Sequence, residues 1–163
     1  MVLQFDPIEE ARKNWKSKDW DSVEAMAAAT SITRAHQIIL QRIDTALGPL
    51  GLNFSRFEAL ALLNFSRFGS LPMGKIGDRL QVHPASVTNT IDRLEADGLV
   101  HRNQHPNDRR TTLAELTTEG RKVVEKAAKI LSGLDFGLRG IDPPGLATIT
   151  NALVELRKGA GDF

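Results

Sequence analysis

Two short helical segments, 72–80 and 84–96, are separated only by Gln81-Val82-His83. No other feature constrains the fold of this chain as tightly. The first segment carries Ile76 and Leu80 on one face. The second opens with Pro84 in a first-turn position, where a missing N–H costs nothing. It repeats Val87, Ile91 and Leu94 at steps of four and three, the period of one buried helix face. Asp97-Gly98 closes it, glycine suiting a left-handed cap. Two helices joined by so short a turn read as a helix-turn-helix. Extended candidates follow at 99–102 and 111–116, with a polar loop of turn residues, Asn103 to Arg110, between them. Strand, charged loop and strand predict a β-wing.

The flanks are helical. Over 22–47 the apolar positions Val23, Met26, Ala27, Ile32, Ala35, Ile39, Ile43 and Leu47 recur at helical steps until Gly48-Pro49-Leu50-Gly51 stops them. A further helix is expected to start at Ser55, with Glu58 three residues on completing a capping box. Its Ala-Leu-Ala-Leu-Leu run is apolar almost all round, so it should be buried. Thr117-Thr118 caps another helix, and Asp142-Pro143-Pro144 opens a last one striped by Leu146, Ile149, Leu153 and Leu156. Residues 1–21 read as a short helix or arm, and no repeats are evident. The predicted class is mainly α (α+β). A winged helix-turn-helix with a two-stranded β-wing occupies 51–117, between helical dimerisation segments at 22–50 and 118–163. These outer helices carry more apolar stripe than a compact winged helix needs. The last stripe, with Ile8 and the tryptophans, is therefore expected to pack against a second copy.

Composition narrows the function classes. With 41% hydrophobic and 25% charged residues the chain reads as soluble and globular. It lacks the apolar run of ~20 residues that a membrane span needs. The opening MVLQFDPIEEARKNW places two glutamates where a signal peptide needs an apolar stretch, so a cytoplasmic protein is expected. Absence of cysteine excludes disulfides, thiolate zinc and a cysteine redox switch. No nucleophile elbow, phosphate loop, metal-ligand spacing or paired carboxylates are found, so neither an enzyme, a cofactor nor a metal site is expected. A net charge of +1 means that any nucleic-acid partner must meet positive charge gathered on one face.

Opposite the apolar stripe of 84–96 lie Ser86, Asn89, Thr90 and Arg93. Asparagine and arginine are the side chains that pair bidentately with adenine and guanine edges in a major groove. The wing loop sets Arg109 and Arg110 beside Asp108. An arginine at a hairpin tip suits a narrow minor groove, and Asp108 is expected to hold a guanidinium by a forked ion pair. Winged helices also serve as protein-interaction modules without DNA contact, which is the alternative reading.

Residues 80–100 (LQVHPASVTNTIDRLEADGLV), then NDRR at 107–110 and LTTEG at 116–120, resemble the MarR family of bacterial regulators over about 31–158. The resemblance implies a ligand-responsive transcriptional regulator, most often a repressor, that binds a palindromic operator in double-stranded DNA as a homodimer. Ser86 and Asn89 then match base-facing positions. Pro84, Thr88 and Arg93 fall near the groove or phosphates. Asp108 and Arg110 match the wing's acid and its minor-groove arginine, with Arg109 on the backbone. Asn89 stands where many relatives carry arginine. Relatives bind small anionic or phenolic effectors between the dimer helices and the winged domain. A weaker likeness to a urate-responsive subgroup sets Trp15 or Trp20, Glu58 and Arg102 in ligand positions. It departs at Glu58, where aspartate is usual, and at Thr90, where arginine is usual. Arg34, His36 and Arg56 are further ligand candidates, being polar groups on otherwise apolar helices.

Overall fold

The computed structural model describes residues 3–163. Helix α1 (Pro7–Ser17) folds back on the long α2 (Val23–Leu47), which a 3-10 turn at Gly48–Leu50 connects to α3 (Phe54–Phe65). A short strand β1 (Ser70–Pro72) leads into α4 (Met73–Leu80) and α5 (Pro84–Ala96). Strands β2 (Val100–His105) and β3 (Asp108–Leu116) form the hairpin. Helix α6 (Thr118–Gly133), a 3-10 turn at Asp135–Gly137 and α7 (Pro143–Gly159) complete the chain. The winged helix-turn-helix is therefore present. No helix among the described residues is long and apolar enough to cross a membrane.

Helix α3 is the axis of the core. Phe57, Ala59, Leu60, Ala61 and Leu63 are buried, and they meet Val87, Ile91 and Leu94 of α5, Val100 and Ala114 of the sheet, and Val124, Ala127 and Leu131 of α6. The sheet has three antiparallel strands in the order β1-β3-β2. The wing itself is the expected two-stranded hairpin, but its strands run further than the sequence predicts, leaving only Pro106-Asn107 as the turn. Strand β1 was not foreseen. Its three residues show no alternation, and only pairing with Leu113, Ala114 and Glu115 makes them a strand. The wing is locked to its neighbours at Thr117, whose hydroxyl donates to the Gly98 carbonyl (2.9 Å) and accepts from the Gly120 N–H (2.8 Å). A Cβ at Gly120 would overlap the Leu99 carbonyl oxygen, so α6 can start this close only on glycine.

The expected capping box does not form. Asn53 is the N-cap of α3, its side chain accepting from the Arg56 N–H at 3.0 Å, and Ser55 lies inside the helix. Asparagine caps as well as serine. The Asp44 carboxylate takes the Phe54 N–H at 2.8 Å, so the helix begins earlier than expected. Glu58 is thereby freed from capping and sits half-buried, and burial pushes its carboxyl above the ordinary 4.5.

The expectation of no repeats also needs correction. LNFSRF occurs at 52–57 and again at 63–68. The first copy opens α3 and buries Phe57. The second closes it, leaving Phe65 and Phe68 80% and 78% exposed. Both copies bury their leucine, Leu52 and Leu63, and differ in their phenylalanines, since only Phe57 reaches the core.

The outer helices are sparsely covered within the chain. Residues 28–38 of α2 are exposed without interruption. Helix α7 buries no residue and stands nearly free of the other elements. The expected N-terminal helix is tied to α2 by Arg12, which pairs with both Glu9 and Glu24. The Trp15 indole N–H donates to the Asp21 carbonyl (2.8 Å), with Trp20 edge-on at 4.8 Å.

Two outcomes test this account of α3. Asn53→Ala should cost about 1 kcal/mol in chemical denaturation and Ser55→Ala much less; equal losses would return the cap to Ser55. Because the Glu58 pKa is raised in the folded chain, its ionised form is penalised at neutral pH. That penalty fades as pH falls through the folded value towards 4.5. Glu58→Gln should therefore melt at or above the parent's temperature at neutral pH and lose that advantage below 4.5.

Candidate nucleic-acid interface

Burial of Val87, Ile91 and Leu94 fixes how α5 is turned about its axis. Pro84, Ser86, Thr88, Asn89 and Arg93 are exposed as a result, and Thr90 is half-buried. Ser86, Asn89, Thr90 and Arg93 line an open concavity of about 340 Å³ with Asn53, Ser55 and Arg56 from the start of α3. The Arg93 Nε donates to Asn89 Oδ1 at 3.2 Å, leaving the asparagine amide nitrogen and the terminal guanidinium nitrogens free to donate. His83 caps α5 by accepting the Ala85 N–H (3.2 Å), and no acid stands in the first turn, so the positive end of the helix dipole is open to an anion.

Thr88 lies on a different flank. Its hydroxyl donates to the Pro84 carbonyl (3.1 Å), and with Lys75, Asp78, Asp92, Arg102 and Arg110 it lines a groove of about 800 Å³ between α4, α5 and the wing. Across this groove Arg102 joins β2 to α5. Its guanidinium lies 2.6 Å from Asp92 Oδ1 and 3.0 Å from Glu95 Oε2, and its backbone N–H donates to Glu95 Oε1 at 3.0 Å. The Thr88 carbonyl accepts from Arg102 Nη2 at 3.3 Å. Asp97 lies 3.7 Å from Arg56, and Asp78 lies 3.7 Å from Lys75. The acids that balance the basic residues of this region in a simple count are thus largely paired within it.

At the wing, Asp108 holds no guanidinium, contrary to expectation. Its carboxylate accepts from the Thr111 hydroxyl (2.7 Å) and the Arg110 N–H (3.0 Å), and those bonds, the hydroxyl first, keep its pKa below the ordinary carboxylate value. It shapes the hairpin closure, while His105 Nδ1 accepts the Asn107 N–H at 3.2 Å. Arg109 and Arg110 are both exposed, and neither has an ion-pair partner among the described residues.

The six expected ligand residues do not converge within one chain. Trp15 belongs to the α1–α2 clasp. Arg34 and His36 lie on the exposed stretch of α2. Arg56 donates to the Gly51 carbonyl (2.6 Å) and adjoins the concavity beside α5. Arg102 is neutralised by two carboxylates. Glu58 borders a cavity of about 50 Å³ under the helix-turn-helix, lined by Ile76, Leu80, Ser86, Val87 and Thr90. That space has room for no more than a few waters and is far below the ~300–1,000 Å³ of a small-molecule site. Among the described residues no three His, Asp or Glu side chains come together as metal ligands. Sequence reasoning missed Asn53, Ser55 and Lys75 as neighbours of the recognition face. The polar opening of α3 is visible in the sequence, but its approach to α5 is a tertiary fact.

Known proteins share this fold. Residues 52–112 match the model of the MarR family. An uncharacterized HTH-type transcriptional regulator of Bacillus subtilis, YhbI, is 32% identical over 74% of this chain and 73% of its own. The crystal structure of Sco5413, a MarR family transcriptional regulator from Streptomyces coelicolor, is 51% identical and superposes with a TM-score of 0.82 over 87% of this chain and 99% of its own. Sco3205, another MarR family transcriptional regulator from Streptomyces coelicolor, solved in complex with DNA, shares the fold at a TM-score of 0.78 and 21% identity, covering 86% of this chain and 89% of its own. With its helix-turn-helix, paired internal acids and open wing arginines, the chain belongs to the MarR family: it is a winged-helix DNA-binding transcriptional regulator and not an enzyme.

Proposed function

We propose that this regulator acts in the cytoplasm as a symmetric homodimer on a palindromic operator, as a repressor whose hold on DNA a small anionic or phenolic effector loosens. The observation that carries the reading is the joint display of the α5 face and two unpaired wing arginines on one unit clamped by Arg102. Residues 51–117 are the reading head, and 22–50 with 118–163 the dimerisation region. Its support is the bare stretch of α2 together with α7, whose Ile149 and Leu156 stand 42% and 61% exposed. Apolar stripes left this open find their cover on a second copy. A two-fold axis then presents recognition helices to half-sites about 10 bp apart.

In each half-site Ser86, Asn89 and Thr90 face base edges. Pro84, Thr88, Arg93 and Arg109 sit at phosphates or the groove edge, and Arg110 enters the minor groove with its backbone held by Asp108. For the effector, support comes from a relative of the same fold: BpsR of Bordetella bronchiseptica, 23% identical, has its DNA binding regulated by 6-hydroxynicotinic acid.

The deciding experiment selects a duplex from a randomised library and measures affinity against salt. A palindromic motif and a steep loss of affinity with rising salt are expected from phosphate neutralisation. A protein-interaction module would ignore every duplex. Arg110→Ala should weaken operator binding by about 1–3 kcal/mol with the fold unchanged; unaltered affinity in an anisotropy titration removes the arginine from the interface. Asn89→Ala should relax base preference at one symmetric pair of positions, and recovery of the parent motif in the same selection would show that Asn89 reads no base.

A further inference from the structure

The second copy of LNFSRF leaves a patch that DNA reading does not use. Among the described residues, Phe65 and Phe68 are the most exposed of the large apolar side chains. They stand on a closed turn. The Ser66 hydroxyl donates to the Leu63 carbonyl (2.7 Å), the Gly69 N–H donates to the Ser66 carbonyl (3.2 Å), and the Gly69 carbonyl accepts the Leu116 N–H of β3 (2.7 Å). Cations flank the rings. The Arg67 guanidinium lies 5.2 Å from the centre of the Phe68 ring, and Arg121 of α6 donates to Asn64 Oδ1 at 2.7 Å beside the same turn. Neither arginine has a carboxylate partner among the described residues. Of the acids on neighbouring elements, Glu119 pairs with Lys122 and Glu115 accepts from the Asn103 amide, which leaves Glu125 against the exposed Lys126 and Lys129. Apolar rings set among unpaired cations suit a partner whose apolar side chains stand among acids.

The chain carries such a segment. Leu3 and Phe5, 44% and 52% exposed, precede α1, and Asp6, Glu9 and Glu10 follow them on exposed positions. Helix α1 buries no residue. Asp6 caps the helix through the Ile8 N–H and Glu9 pairs with Arg12, while Glu10 has no ion-pair partner among the described residues. Because Phe5, Phe65 and Phe68 are all exposed, segment and patch do not cover each other within one chain.

We propose that the Leu3–Glu10 segment of one copy docks on the Phe65–Phe68 patch of a second copy, its apolar side chains on the rings and Glu10 facing Arg67. The patch lies at the end of α3 opposite the Ser55 and Arg56 that border the recognition face. A helix of 12 residues, about 18 Å long, separates the two, so the patch stays open over bound DNA. The rings offer about 300–500 Å², short of the ~1,200 Å² of a stable interface. The contact therefore adds to an interface and does not found one. Exchanged reciprocally across a two-fold axis, it closes on itself and forms no filament. It goes beyond the α2 and α7 dimer proposed above and uses none of that interface's residues.

The test places the photocrosslinker benzoylphenylalanine at Phe68 and irradiates a mixture of unlabelled and heavy-nitrogen-labelled full chain. Mass spectrometry should find residues 3–12 captured, with mixed-isotope pairs. Glu10→Lys should lower the yield about three-fold or more, the scale of an exposed ion pair turned repulsive. Arg67→Glu should do the same, and the two changes together should restore capture. Both positions are exposed, so melting temperatures should match the parent's. No capture, capture of another region, or same-isotope pairs alone overturns the docking. A double variant that stays as weak as the single ones overturns the assigned charge pairing. Sedimentation separates the two readings. A dimer in which nothing is captured sinks this inference alone, and capture between chains that sediment as monomers sinks the α2 and α7 dimer alone.

Discussion

Burial of three side chains on α5 sets everything the reading head presents. Val87, Ile91 and Leu94 are 4%, 0% and 0% exposed, packed where α3 runs beneath them. Each contributes about 1.5–3 kcal/mol by leaving water. A shift of one residue turns a helix by roughly 100°, which would take Asn89 and Arg93 out of the open face. Rotation is thus determined by apolar packing, and the polar residues inherit their directions from it. Two flanks result, one shared with the start of α3 and one turned towards the wing.

The second constraint is electrostatic. Arg102 collects Asp92 and Glu95, one helical turn apart, and its own backbone N–H is bonded to Glu95. The hairpin and the recognition helix are thereby tied to each other by both side-chain and backbone bonds. The same clamp explains how a chain with a net charge of +1 can display a positive face. Asp78, Asp92, Glu95 and Asp97 face guanidinium or ammonium groups of their own domain, while Arg109 and Arg110 have no carboxylate partner among the described residues. Field at the surface follows this arrangement of charge rather than its sum.

Much of this was legible because it rests on local rules. A stripe at steps of four and three, a proline at the first turn and Gly98 at φ 71° each carry their own physical reason, and together they set α5 and its end correctly. Legibility failed where two local solutions compete or where the decisive partner is remote. Asn53 and Ser55 are both good caps, and Asp44, ten residues upstream, accompanies the earlier start. The carboxylate of Asp108 had an arginine on offer but found a hydroxyl and a backbone N–H nearer. Strand β1 exists by virtue of β3 alone. The two copies of LNFSRF make the limit plain, since the same six letters bury one phenylalanine at the start of α3 and expose two at its end. Nothing local announces the left-handed backbone of Phe136, a bulky residue for which that conformation is an outlier.

Head and arms share one core, in which Ile43 and Leu47 of α2 and Val124, Ala127 and Leu131 of α6 pack with α3, and a few specific contacts are added at its edge. Asp44 of α2 holds the first N–H of α3, Arg42 holds the carbonyl of Gly137, and Phe136 lies on Phe57. Packed interiors resist continuous deformation and pass from one arrangement to another. A rearrangement of α2 or α6 that altered this packing would be felt by α3, on which α5 rests. All three edge contacts meet the first turns of α3 or the left-handed turn against it, while the far end of α3 is fixed separately by the bond from Arg121 to Asn64 (2.7 Å). Helix α3 is thus held at both ends and along its buried face, between the outer helices on one side and α5 on the other.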